Sequence, residues 1–224
     1  MVYVHGGGFS TFDREGHDRA ARRLANRSGL PVLSVDYRLA PEHRFPAQLQ
    51  DVATVLGWID EEGAQNGLSG PEFVQGDSAG GNLALVTALK NPGRFRSLVL
   101  IYPFLDPSTA FDSYHTAIPG QGPNDAAVYW DQYLEPTQDR NDPDVAPLLS
   151  PDLHTLPPTL VLTCEFDMMR DEGERLVELV EQAGVEVVAA RWLGVAHGFW
   201  KEIDATPTVE AVTRHVADHY GLHS

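Results

Sequence analysis

The chain has 224 residues, 42% hydrophobic and 21% charged, with a formal net charge of −16. That balance fits a single globular domain with one core and excludes a disordered chain. The acidic excess argues against nucleic acid and anionic membrane surfaces as partners, because both select basic patches.

Short apolar runs alternate with longer amphipathic stretches along the chain. Val2-Tyr3-Val4 is a strand stub that ends in His5-Gly6-Gly7-Gly8. Residues 14–28 read as a helix, with Ala20, Ala21, Leu24 and Ala25 at helical spacing and Gly29 at its end. Residues 31–36 read as a buried strand. Residues 47–62 read as a helix with Leu49, Val52, Ala53, Leu56 and Ile59 on one face. A strand over 72–75 runs into Gly76-Asp77-Ser78-Ala79-Gly80, and a helix over 79–90 follows. The next strand spans 97–101. Prolines punctuate residues 102–157, where one helix is expected over 125–134 as part of an irregular insertion. Alternation then resumes with strand 159–163, helix 171–183 closed by Gly184, strand 185–192 and helix 208–220. Repeated β-α alternation implies a mostly parallel sheet with helices on both faces, joined by right-handed crossovers.

Gly76-Asp77-Ser78-Ala79-Gly80 fits G-x-S-x-G, the pattern that places a serine on a sharp strand-to-helix turn. Small residues two positions either side let neighbouring backbone approach the strained turn. A serine hydroxyl needs a base to take its proton and an anion to orient that base. His197 follows one late strand and Asp167 follows the strand before it, in the order serine, acid, histidine. Both then emerge at the carboxyl edge of the sheet, where open α/β sheets bind ligands. Glu165 and Asp171 compete for the acid role; Glu165 is expected at a strand end and Asp171 at a helix start. The glycine run supplies backbone N–H groups able to face a tetrahedral oxyanion: Gly7 and Gly8, with Gly6, together with Ala79 after the serine. His5 is read as an anchor for that loop.

Other candidates receive plainer readings. His215 and His219 are expected on a solvated helix face rather than at a metal, since no H-E-x-x-H pattern accompanies them. Trp130, Tyr133 and Leu134 read as helix packing, and Cys164 reads as core. Phe9 and Trp200 flank the oxyanion loop and His197 in sequence, and so are candidates for substrate contact. One cysteine permits no intrachain disulfide and fits a reducing compartment. With no signal-peptide pattern at the N-terminus and no apolar run near the roughly 18 residues of a membrane span, a cytoplasmic protein is expected.

These motifs resemble the hormone-sensitive-lipase-like carboxylesterases of the α/β-hydrolase superfamily, also called bacterial family IV. The resemblance rests on His5-Gly6-Gly7-Gly8, residues 36–42 (Asp-Tyr-Arg-Leu-Ala-Pro-Glu), residues 76–81, Glu165-Phe166-Asp167 through Gly173, and His197-Gly198-Phe199. These blocks span nearly the whole chain in the family's order. It implies hydrolysis of short-to-medium acyl esters through Ser78, Asp167 and His197, with no cofactor and no metal. Residues 36–42 look like the family's structural segment. Family members carry several tens of residues before H-G-G-G, supplying cap helices and two strands. The sheet is therefore expected to lack its first two strands and the N-terminal cap helices, exposing Val32, Leu33 and Val35 on an edge that invites homodimerisation. Two other readings of the same scaffold are a non-catalytic small-molecule receptor, as in plant hormone receptors similar to this family, and an inactive fragment.

Overall fold

The computed structural model describes residues 1–70, 72–116, 122–201 and 206–223. Six strands form one all-parallel sheet: β1 (Val2–Val4), β2 (Leu33–Val35), β3 (Glu72–Asp77), β4 (Phe95–Ile101), β5 (Thr159–Phe166) and β6 (Val187–Ala196). Their spatial order is β2-β1-β3-β4-β5-β6. The α-helices are α1 (Asp18–Ser28), α2 (Ala47–Trp58), α3 (Ala79–Lys90), α4 (Ser113–Thr116), α5 (Pro123–Tyr133), α6 (Arg170–Gln182) and α7 (Pro207–His223). This is the α/β-hydrolase arrangement expected from the sequence.

Alternation along the strands divides the core into two layers. Val2, Val4, Leu98, Leu100 and Val161 point to one face, where they meet Val52 and Leu56 of α2, Leu83 of α3, and Leu176 and Val180 of α6. Tyr3, Val99, Ile101, Leu160, Leu162 and Cys164 point to the other, against Leu24 of α1 and Val209, Val212, Val216 and Tyr220 of α7. Both faces of the central strands are buried, which explains their continuous apolar runs.

Several boundaries differ from expectation. Helix α1 starts at Asp18 rather than 14, because the Asp13 carboxylate accepts the Gly16 N–H (2.8 Å) and folds the preceding residues into turns. Helix α2 stops at Trp58, and Ile59–Gly63 continues as a wider π turn; Ala53 is exposed rather than on the buried face. Strand β6 runs four residues beyond the expected 192. Gly194 forms a bulge within it (φ 76°), where β5 and β6 shift register and the Glu165 carboxylate accepts the Gly194 N–H at 2.7 Å. Helix α5 begins two residues early, at Pro123, whose fixed φ suits a first helical position. Strand β2 is the terminal strand, but its side chains are not exposed as expected: Val35 is buried, and Val32 and Leu33 are half-buried. Edge-strand side chains point to the sheet faces, where helices cover them; the backbone edge is what stays open. Among the described residues, no helix is long and apolar enough to cross a membrane.

Candidate active site

Strand β3 delivers Ser78 to the turn before α3 at φ 54° and ψ −124°, a conformation non-glycine residues rarely adopt. The turn is held from several sides. Ser78 N–H donates to the Ile101 carbonyl at 2.9 Å, and the Ser78 carbonyl accepts from Gly81 N–H (2.9 Å) and Phe104 N–H (3.0 Å). Gly76 and Gly80 are steric requirements. A Cβ on Gly76 would lie 2.0 Å from the Gly80 carbonyl oxygen, and one on Gly80 would lie 2.1 Å from that of Val4.

Asp167 and His197 follow the last residues of β5 and β6, and the His197 N–H donates to the Phe166 carbonyl. The three predicted side chains come together. Asp167 Oδ2 lies 2.8 Å from His197 Nδ1, and His197 Nε2 lies 2.9 Å from Ser78 Oγ. A carboxylate only accepts, so Nδ1 carries the proton and Nε2 is left to accept from the serine hydroxyl. Asp167 is fully buried, and its other oxygen accepts the Met169 N–H at 2.8 Å. The rivals point elsewhere. Glu165 binds the Gly194 amide, and Asp171, in the first turn of α6 rather than at its cap, binds the Ser113 amide and Arg170.

The glycine loop lies beside Ser78. A Cβ on Gly6 would meet Ser78 Cβ at 3.0 Å. Gly6, Gly7 and Gly8 line the cavity above the serine. Among the described residues the amides of Gly7 and Gly8 have no acceptor, and Ala79 is the first residue of α3, where N–H groups lack intrahelical partners. His5 is buried, stacks on Tyr37 (4.3 Å between centroids), and its Nδ1 lies 2.8 Å from the Gly6 carbonyl, as an anchor would.

Beneath the serine lies a polar cluster that sequence reasoning missed. Asp77 is buried, accepts from Tyr3 Oη at 2.7 Å, and has His17 Nε2 3.3 Å away. The second contact is a charge contact, poorly aligned as a hydrogen bond. Burial pulls the His17 imidazolium down, but the Asp77 carboxylate outweighs it and holds His17 above its ordinary value of 6.5. Burial likewise pushes Asp77 up, and His17 and Tyr3 more than offset this, leaving it below the ordinary 3.8. The only available signal was Asp77's place inside the serine motif; nothing in sequence ties it to residue 17.

The cavity over Ser78 measures about 410 Å³ and is walled by Phe12, Tyr102, Phe104, Tyr129, Met168 and Lys201. A larger cavity, about 690 Å³, lies between residues 105–111 and α6 and contains none of the hydrogen-bonded triad, so size alone does not mark the site. Phe9 and Trp200 do not reach the substrate cavity. Phe9 stacks on Tyr133 at 3.8 Å in the core, and Trp200 is buried against Tyr3. Trp130, Tyr133, Leu134 and Cys164 are buried, as expected. His219 is not solvated: it is buried, with Nε2 2.6 Å from Ser97 Oγ. Among the described residues no group of three or more potential ligands could hold a metal.

A family profile described as "alpha/beta hydrolase fold" matches residues 1–201. The chain belongs to that family. Its resemblance to the hormone-sensitive-lipase-like branch is upheld by the relatives. Ethyl acetate hydrolase of Pseudomonas putida is 34% identical over 209 residues, covering 90% of this chain and 66% of that protein. Carboxylic ester hydrolase LipN of Mycobacterium tuberculosis is 35% identical over 213 residues, covering 89% of this chain and 56% of that one. The chain thus spans 56–66% of the length of these two relatives. Among solved structures, a hyperthermophilic esterase from Pyrobaculum calidifontis superposes with a TM-score of 0.92 at 37% identity, covering 100% of this chain and 77% of that one.

Proposed function

We propose that this chain is a serine carboxylesterase that cleaves short-to-medium acyl esters through an acyl-enzyme intermediate. The observation that carries the reading is the unbroken line Asp167–His197–Ser78, with contacts of 2.8 and 2.9 Å, at the carboxyl edge of the sheet. Ser78 Oγ attacks the ester carbonyl as His197 Nε2 takes its proton. The amides of Gly7, Gly8 and Ala79, with Gly6 shaping the loop, receive the oxyanion. The imidazolium, held by Asp167, then protonates the departing alcohol. Water enters, His197 activates it, and the acid leaves Ser78 free. None of these steps draws on a metal or cofactor.

The cavity volume of about 410 Å³ accommodates a short or medium acyl chain. A receptor requires no base within reach of the serine, so the triad geometry favours the enzyme over the receptor and over an inactive fragment. We treat the 224 residues as one catalytic domain. The single, buried Cys164 fits a cytoplasmic setting, and the charge of −16 gives no purchase to nucleic acid. The open backbone of β2 is the surface through which we expect homodimerisation.

Turnover of p-nitrophenyl butyrate tests the reading. Wild type hydrolyses the ester, and Ser78→Ala and Asp167→Asn lose roughly 10⁴-fold in kcat while keeping their circular dichroism. Glu165→Gln and Asp171→Asn stay within about tenfold, the margin of a positioning change. Equal activity in wild type and a folded Ser78→Ala would sink the proposal.

A further inference from the structure

Histidines apart, Lys201 is the cationic side chain that lines the cavity over Ser78 among the described residues of a strongly acidic molecule. Lys201 lies four residues after His197, and its Nζ sits 3.6 Å from the centre of the Phe12 ring. Both side chains line the cavity above Ser78. The ring is in turn pressed onto the glycine loop: a Cβ on Gly7 would meet Phe12 Cδ2 at 3.1 Å. The lysine stem folds over the turn after the histidine, where a Cβ on Gly198 would meet Lys201 Cε at 3.7 Å. Lys201 thus connects the turn after His197 to the glycine loop through the Phe12 ring.

Its charge has no counter-ion among the described residues. Among the described residues no carboxylate lies within ion-pair distance of Lys201, whereas Arg14, Arg38, Arg94 and Arg191 are all paired. The acidic groups lining the cavity are engaged elsewhere. Asp77 holds Tyr3 and His17, and Asp125 accepts the Gly122 N–H at 2.8 Å. The ring itself is held in place at a cost, since Phe12 has a φ of 63° and is 47% exposed. An ammonium over an aromatic face is attracted by the ring quadrupole yet keeps donors free.

We propose that Lys201, seated on Phe12, selects esters carrying a carboxylate on the alcohol side of the scissile bond. The inference rests on the esterase reading and adds the substrate class. His197 must reach the leaving oxygen to protonate it, so the wall that follows His197 in the chain faces the departing alcohol. An aryl or short alkyl alcohol bearing a carboxylate would lay its apolar body against Phe12 and its anion on Nζ. Elsewhere the net charge of −16 repels anions, so an ammonium on the cavity wall with no carboxylate partner among the described residues favours an anionic substrate there.

The test compares 4-carboxyphenyl acetate with phenyl acetate, which release 4-hydroxybenzoate and phenol. Lys201→Met, which keeps the apolar stem, lowers kcat/KM for the carboxylate ester about tenfold more than for phenyl acetate, mostly in KM. Lys201→Arg restores the preference, and raising salt from 0.05 to 0.5 M (chosen to bracket the Debye length of about 8–10 Å) weakens it. An equal loss on both substrates means packing or general oxyanion stabilisation, and overturns the proposal. A loss confined to monophenyl succinate, whose carboxylate is on the acyl side, overturns the assignment to the alcohol side. Calorimetric binding of 4-hydroxybenzoate to Ser78→Ala and to Ser78→Ala/Lys201→Met separates this inference from the esterase reading, since it needs no turnover. A Kd about tenfold weaker in the double variant supports the anion site even if no ester is cleaved, and an unchanged Kd contradicts it.

Discussion

The proposed chemistry rests on side chains whose neighbours leave them one orientation. Asp167 has one oxygen on His197 and the other on the Met169 amide, so it cannot rotate away. The triad was legible in sequence because each member belongs to a local pattern: Ser78 to a glycine-flanked turn, Asp167 and His197 to strand ends in a fixed order. The layer beneath was not legible. Tyr3, His17 and Asp77 are separated in the chain and meet because β1 pairs with β3 and the residue that opens α1 reaches their C-terminal ends. That cluster yields a pH prediction. His17 has a folded value above 6.5, so its contribution to stability is complete below pH 6.5 and is lost as pH rises through that folded value. Asp77 has a folded value below 3.8, so its contribution is complete above pH 3.8 and is lost as pH falls through the folded value. The pair therefore stabilises the fold most between those limits. His17→Gln, which strands a buried carboxylate, is expected to cost about 3 kcal/mol at pH 6. Urea midpoints of the two proteins should converge as pH is raised. A gap that stays constant from pH 6 to 9 would show that His17 acts only by packing.

At the scale of elements, the sequence located every strand and long helix, with β1 and α3 at their observed bounds and several other ends misplaced. The errors have local causes: the Asp13–Gly16 turn before α1, the π turn after Trp58, Pro123 at the start of α5 and the bulge at Gly194. Gly29 ends a helix, with φ 72° and nothing within 4 Å of its missing Cβ. Gly76 and Gly194 lie inside strands that continue through them, because sheet partners supply hydrogen bonds a single-chain pattern does not reveal. The two kinds of glycine should respond differently to alanine. Gly29→Ala meets only the torsional cost of a left-handed residue, about 1 kcal/mol. Gly80→Ala forces a Cβ to within 2.1 Å of Val4 O and 2.4 Å of His5 O, both backbone atoms. A loss of about 3 kcal/mol is expected there, along with displacement of the glycine loop. Denaturant midpoints measure both. Equal losses would mean that the close crossing of α3 over β1 is not what fixes the turn.

At the scale of the whole molecule, a two-faced parallel sheet brings three distant loops to one edge. Residues 5–8, 78–79 and 197–198 become neighbours because β1, β3 and β6 all point the same way. Topology of this kind is predictable from β-α alternation, whereas cavity walls are not. Phe12 and Lys201 carry no motif, and Phe9 and Trp200, which border motifs, turned inward to the core. The sheet's outer strands are exposed in different ways. β2 has three residues and covered side chains, while β6 has ten and leaves Leu193 73% exposed. Light scattering on the full chain is expected to give a dimer that Val32→Lys, next to the β2 edge, weakens. A monomer across micromolar concentrations would contradict association through β2.

The central claim is that Ser78 is the nucleophile, and active-site labelling tests it most directly. The folded chain is treated with a fluorophosphonate ester, whose phosphorus is attacked by an activated serine with loss of fluoride, and the modified peptide is mapped by mass spectrometry. One adduct per chain on Ser78, abolished in His197→Ala and accompanied by complete loss of esterase activity, is the predicted result. An unlabelled Ser78 in a chain that still hydrolyses esters, or stoichiometric labelling at another residue, would contradict the account.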